Sequence, residues 1–403
     1  LNLIPFRPLV YRGDLEGTTS PPVDIISQDH EARLKSSPFN ITHITMPRHG
    51  ILENALGTLA QWRKDGVLET FGSDCLIILD QEIHVGGRRI SRIGIISPVE
   101  TSPERKDVLA HEETFPWAVE ERRKLMEKTS CQLEPIFLTV NGTSFERILR
   151  AAVRQMSPAK TFQEPDGVAN SVYFLTDPRS IESIRQSLQR ENAVVADGHH
   201  RLQATRNLYL ESNGENRDFW KFTMAYVTSL QSDSLLIGGI HRVVSREFEI
   251  SAFMESIREY FDVREMNGDH GQESIVLYDG KYHSISPKPI AFDAIGCSKK
   301  YKYAGDPSLV SNLILRQIMG MTQKDLSTKV LYTHNRVIAV DEVDSGRSGF
   351  SFLMPEWNKS VFISMIEDGR LLPQKSTYFY PKVPSGIALY CSDSIRISGR
   401  NLQ

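Results

Sequence analysis

Apolar and polar positions recur along this chain with two periods, and the changes from one to the other predict its elements. Over residues 51–68, Leu52, Ala55, Leu56, Leu59, Trp62 and Arg63 recur at helical spacing, which predicts an amphipathic core helix. Residues 75–85 and 89–98 read as two strands joined at Gly86-Gly87, a hairpin pair. A helix is predicted over 117–127, then strands over 134–140, 171–176 and 193–196, with helices over 145–156 and 178–189 between them. Further strands fall at 222–229 and 235–245. Residues 40–45 alternate as a strand with His43 on one face, and prolines 5 and 8 confine residues 4–11 to a sheet edge. Beyond 246 the pattern thins. Helices are predicted over 252–260, 307–319 and 357–367, and strands over 274–278, 349–354 and 378–380. Alternating strands and helices of this kind imply an α+β (mixed α/β) chain.

The most informative stretch follows the apolar run Ala193 to Ala196. Asp197-Gly198-His199-His200-Arg201 breaks the strand and opens a helix whose inner side carries Leu202, Ala204, Thr205 and Leu208. Asp197 reads as the N-cap, and Gly198 permits a sharp turn or a close ligand. Free N–H donors, the helix dipole and Arg201 together describe an anion site at a strand end, where α/β sites sit.

Two further constellations carry chemistry. His111-Glu112 stands just before the charged helix over 117–127. Lys375-Ser376-Thr377 resembles the end of a P-loop, but Gln374 replaces the required glycine and no apolar strand leads in. A lysine and two hydroxyls suit phosphate oxygens in any case. His241-Arg242, a charged pair inside an apolar strand, suits phosphate or a substrate carboxylate. Asp24 and Ser27 divide between turn chemistry and a site. The basic and aromatic run from Ser298 to Tyr303 reads as a solvated loop.

Composition narrows the classes. With 47 Lys and Arg against 50 Asp and Glu, the net charge of -3 exerts no pull on nucleic acid or anionic membrane. Cys75, Cys131, Cys297 and Cys391 are far apart and lack metal-site spacing, so they read as free thiols of a cytoplasmic protein. The opening apolar run is too short for a signal peptide, and no later one is long enough to span a bilayer.

These residues also carry a resemblance. Asp197-Gly-His-His-Arg201 is similar to the signature of free serine kinases in the ParB/sulfiredoxin-like superfamily. Together with residues 20–27, His111-Glu-Glu-Thr114 and the segment from Gly369 to Pro381, the wider chain resembles the DUF1015 family. The resemblance implies a ParB/sulfiredoxin-like catalytic core over 101–245. An N-terminal α+β region over 1–100 precedes it, and a C-terminal region over 246–403 returns the Lys-Ser-Thr loop to the site. It implies a kinase that moves a phosphoryl group from ATP or ADP, with Mg2+, to a free amino acid, L-serine giving O-phospho-L-serine. Glu112 is the implied base. Asp197 orients the acceptor hydroxyl, binds Mg2+ or caps the helix, and His200 donates to the transferring group. His111, Gly198, His199, Arg201, Lys375, Ser376 and Thr377 surround the nucleotide. Asp24, Ser27, His241 and Arg242 are candidate substrate contacts from their residue types, and the serine kinases offer no matching role for His241-Arg242. The alternative is a nucleotide-gated binding protein, against whose DNA-partitioning form the absence of net positive charge weighs. A metal hydrolase using His111, Glu112, His199 and His200 is weaker, because adjacent histidines cannot share one helix face.

Overall fold

The computed structural model describes residues 1–85, 87–268, 274–297, 302–367 and 369–392. Gly86 of the hairpin turn and residues 298–301 of the basic and aromatic run lie outside them. The fold is mixed α/β, and the chain divides into two units. One comprises residues 1–110, 114–235 and 381–403. The other comprises residues 111–113 and 236–380.

Among the described residues, the first unit is built on an eight-stranded mixed sheet. Its order is Val108–Leu109, Ala193–Asp197, Ile136–Val140, Phe222–Ser229, Arg88–Glu100, Leu76–Val85, Ala169–Leu175 and Lys160–Gln163. Ile136–Val140 runs parallel to Phe222–Ser229 and antiparallel to Ala193–Asp197. The long hairpin of residues 76–100 therefore lies within the same sheet as the strand that leads to Asp197. Ile78, Ile93, Ile95, Leu138, Val195 and Val227 form the core with Phe145 and Leu149 of helix Ser144–Val153 and Ile184 and Leu188 of helix Pro178–Leu188. Those apolar positions are four apart along each helix, a spacing that turns one stripe toward a sheet.

The second unit holds a six-stranded antiparallel sheet among the described residues. Its order is Phe261–Met266, Tyr282–Pro287, Ile275–Tyr278, Phe350–Leu353, His241–Val244 and Val330–Thr333. Its strands alternate as pleated strands must: Val244, Leu277 and Phe352 enter one apolar cluster, and Val243, Val276 and Leu353 another. Leu309, Val310, Leu313 and Ile314 complete the first cluster from Leu309–Ile318. That segment is helical as its pattern predicts, but wound as a π-helix.

Four expectations are corrected. Residues 42–45 form a short helix, Thr42–Thr45, and not a strand; Asn40 Oδ1 accepts from the amide and hydroxyl of Thr42 and so turns the chain locally. Residues 235–245 form two strands in different sheets, Leu236–Gly239 pairing with Thr377–Tyr380 and His241–Val244 entering the six-stranded sheet. Asp197 is not the N-cap, as described below. Cys131 and Cys391 are not free thiols but a disulfide, because Cys131–Gln132 and Tyr390–Cys391 pair as antiparallel strands with the two cysteines opposite. A separation of 260 residues hides this from any spacing rule. The free-thiol argument for a reducing compartment falls with it. Among the described residues, no helix is long and apolar enough to cross a membrane.

Candidate functional site

In the first unit, the strand Ala193–Asp197 slips register against Ile136–Val140 between Val195 and Asp197. A bulge of this kind re-aims the next side chain. Gly198 follows as the N-cap of helix His199–Glu211, at φ 89°. A Cβ here would sit 2.9 Å from Ile136 Cγ2, so both the backbone conformation and the space require glycine. The Asp197 carboxylate is thereby turned to two cations. Oδ2 accepts from Arg201 Nη2 at 2.8 Å and Oδ1 from Lys382 Nζ at 2.7 Å.

Arg201 is buried, and its Nη1 donates to the Pro135 carbonyl. Burial pulls its pKa down, but Glu134, Asp197 and Asp24 together outweigh that and hold it above the ordinary value. Exposed Asp24 is thus within electrostatic reach of the Asp-Gly-His-His-Arg turn. Ser27 lies elsewhere in this unit's chemistry: its hydroxyl accepts from the His30 amide and caps helix Gln28–Lys35. His200 Nε2 accepts from the Phe115 amide at 3.1 Å, which leaves the proton of the neutral ring on Nδ1. The ring lies nearly parallel to that of Phe115. His199 is buried.

In the second unit, the two remaining constellations meet. Backbone bonds from the Glu113 amide to the Leu372 carbonyl, and from the Leu372 amide to the His111 carbonyl, lay residues 111–113 alongside Leu372. Glu112 Oε1 then accepts from the amides of Ser376 and Thr377, at 3.1 and 2.9 Å, and from the Thr377 hydroxyl at 2.6 Å. Its Oε2 accepts from the Lys375 amide at 3.2 Å. Lys375 has φ 55°, a conformation that lets successive amides converge on one anion.

Because the Thr377 hydroxyl gives its proton to Glu112, His111 Nε2, 3.0 Å away, is the donor to it. The fully buried His111 ring meets Phe362 and Phe379 edge-on. The Ser376 hydroxyl is engaged with the Pro373 carbonyl and closes the loop.

Arg242, wholly buried in the interior strand His241–Val244, donates to Ser311 Oγ and to the Ile240 carbonyl. Its Nη2 has no hydrogen-bond partner among the described residues. Burial lowers its pKa, against the opposing pull of Tyr332, Glu112 and Asp306. His241 Nδ1 accepts from the Met354 amide and so serves the sheet.

Sequence reasoning overlooked Lys382, the second cation on Asp197. It follows directly on Pro381, where the motif resemblance ends, and nothing local marks it. Glu134 likewise carries only a strand pattern in the sequence, yet it accepts from Ser385 Oγ at 2.6 Å and acts on Arg201.

A family model described as "Protein of unknown function (DUF1015)" matches residues 3–313, a span that ends before Lys375. No curated protein matches the chain. Among solved structures, a conserved hypothetical protein from Pyrococcus furiosus is 12% identical with a TM-score of 0.41, covering 74% of this chain and 96% of that one. A free serine kinase in complex with AMP is 12% identical with a TM-score of 0.40, covering 70% and 86%. A C-terminally truncated SbnI from Staphylococcus aureus is 11% identical with a TM-score of 0.34, covering 76% and 94%.

Proposed function

The chain belongs to the DUF1015 family, and on that footing we propose that it is a nucleotide-dependent phosphotransferase acting on the hydroxyl of a small molecule, with ATP or ADP as donor and free L-serine as the first acceptor to try. One observation carries this reading. Two motifs read separately in the sequence, His111-Glu112 and Lys375-Ser376-Thr377, are in direct hydrogen-bond contact.

The amides at 375–377 present the donors that phosphate oxygens need, and Lys375 adds a point charge. Phosphoryl transfer asks a protein chiefly for positioning and charge neutralisation. Glu112 takes the acceptor proton late in the transfer. In the first unit, Arg201 and Lys382 hold the Asp197 carboxylate in place, and His200 carries its ring proton on Nδ1. Arg201 and Ser27 act through structure, the one by fixing Asp197 and the other by capping its helix. Among the described residues, no group of three or more His, Cys, Asp or Glu is placed to hold a metal ion. Mg2+ of the kind kinases use is carried largely by the nucleotide phosphates, whose charge it neutralises.

The test is a phosphoryl-transfer screen with Mg2+, ATP or ADP, free amino acids and small alcohols, with Glu112→Gln as control. O-phosphoserine formed by the parent and lost in the variant supports the reading. Turnover on another acceptor keeps the reaction and corrects the substrate. Nucleotide binding with no transfer to any acceptor overturns the kinase and leaves the nucleotide-gated binding protein.

A further inference from the structure

The amides of Lys375, Ser376 and Thr377 and the Thr377 hydroxyl form a donor cradle, and a carboxylate of the chain itself lies in it. A carboxylate and a terminal phosphate offer such donors the same thing, a small anionic oxygen group that only accepts. The cradle cannot hold both. The same amides would need to point at two anions, and two like charges would face each other across a few ångströms. We infer that the cradle at 375–377 is a single anion site with two mutually exclusive occupants, Glu112 and a nucleotide phosphate, so that nucleotide binding releases Glu112. This rests on the nucleotide reading above and adds to it a coupling between donor binding and the proposed base.

One further observation points to an anion site and not to a loop closed for its own sake. Arg242 is wholly buried, has Nη2 without a hydrogen-bond partner among the described residues, and lies within electrostatic reach of Glu112. A buried guanidinium left partly unsatisfied is costly, and an incoming phosphate offers more oxygens to satisfy it than a carboxylate does. The His111 ring is anchored through the same Thr377 hydroxyl that donates to Glu112. Loss of the Thr377 contact therefore loosens Glu112 and His111 together.

The coupling has a chemical use. In the cradle, the oxygens of Glu112 are occupied by donors and are poor acceptors for a substrate proton. Once a phosphate takes those donors, the carboxylate is left to accept a proton from a hydroxyl. The base is then available only when a phosphoryl donor is bound.

The experiment is calorimetric titration of the full chain and of Glu112→Ala and Glu112→Gln, each checked for folding by circular dichroism, with ADP, inorganic pyrophosphate and L-serine in separate runs. Removing the competing carboxylate is expected to tighten ADP and pyrophosphate in both variants by roughly ten- to a hundredfold, within the usual range of coupling between sites. L-serine is expected to be unaffected. If the parent binds ADP and the folded variants bind it no tighter, the exchange is overturned and the nucleotide reading stands. If only L-serine tightens, the cradle takes the acceptor carboxylate and the exchange is again overturned. If no form binds ADP, the nucleotide reading fails and the exchange with it.

Hydrogen exchange on the unmodified chain tests the same point without a variant. ADP should expose the Glu113 amide, now bonded to Leu372, while the amides at 375–377 stay protected. Added protection at Glu113 overturns the exchange.

Discussion

The carboxylate of Glu112 accepts from both the amide and the hydroxyl of Thr377, 265 residues further along the chain. That contact joins the proposed base to the proposed phosphate loop, and it sets the first expectation. Thr377→Val keeps the shape and the amide but removes the hydroxyl that bridges His111 and Glu112. The buried His111 ring and the part-buried Glu112 carboxylate each lose a partner, so the variant should be less stable by about 1–3 kcal/mol. Urea denaturation reads this directly, and an unchanged midpoint would show that the bridge carries no energy.

Asp197 between Arg201 and Lys382 sets the second. Removing one partner of a buried ion pair commonly costs about 3–5 kcal/mol, and these groups are slightly less than fully buried. Lys382→Met should therefore destabilise by roughly 2–4 kcal/mol, and Asp197→Asn by a similar amount. Because they share the contact, the double variant should lose clearly less than the sum. Additive losses in a double-mutant cycle would deny the coupling.

Gly198 gives the third. Gly198→Ala meets both a φ of 89° and the Ile136 side chain. A positive-φ strain of about 1–3 kcal/mol adds to the clash, so this single methyl should lower the unfolding midpoint more than an alanine at any nearby exposed helix position. Thermal melts of Gly198→Ala beside Leu210→Ala, at an exposed position of the same helix, make the comparison.

Glu164 predicts a pH dependence. Burial raises its pKa from 4.5 to about 7, with Asp166 adding to the rise and Asn170 and Arg92 opposing it. Between those values the folded chain holds a proton that the unfolded chain has lost. Stability contributed by this group therefore falls as pH climbs from 4.5 to about 7 and stays low above it. Glu164→Gln removes the titration. Its stability relative to the parent should rise across that interval by up to about 3 kcal/mol, from urea melts at a series of pH values. A pH-independent difference would refute the assignment.

The Cys131–Cys391 disulfide makes the fifth. Under denaturing conditions without reductant, an alkylating reagent should modify Cys75 and Cys297 but neither half of the bridge. Cys131→Ser should cost about 2–5 kcal/mol, because the bridge closes a long loop and restrains the unfolded chain.

Much of this protein is decided locally and is legible in its residues. The helix over 51–68, the hairpin of residues 76–100 and the strand into Gly198 each follow from periodicity and turn chemistry within a few residues. The types of residue in the three constellations already pointed to anions and proton transfer.

Other features depend on partners far away in the chain. Asp197 has the makings of a helix cap, yet a bulge and a glycine at positive φ turn its carboxylate to Lys382, 185 residues on. Four cysteines without local spacing read as thiols until two short strands set Cys131 opposite Cys391. Residues 42–45 alternate like a strand, but the Asn40 side chain accepts from the amide and hydroxyl of Thr42 and makes a helical turn cheaper there. Sequence alone identified Glu112 and the 375–377 loop as separate chemical groups. Only the tertiary fold put one inside the other, because amide donors have no sequence signature until a backbone conformation aims them at a single point.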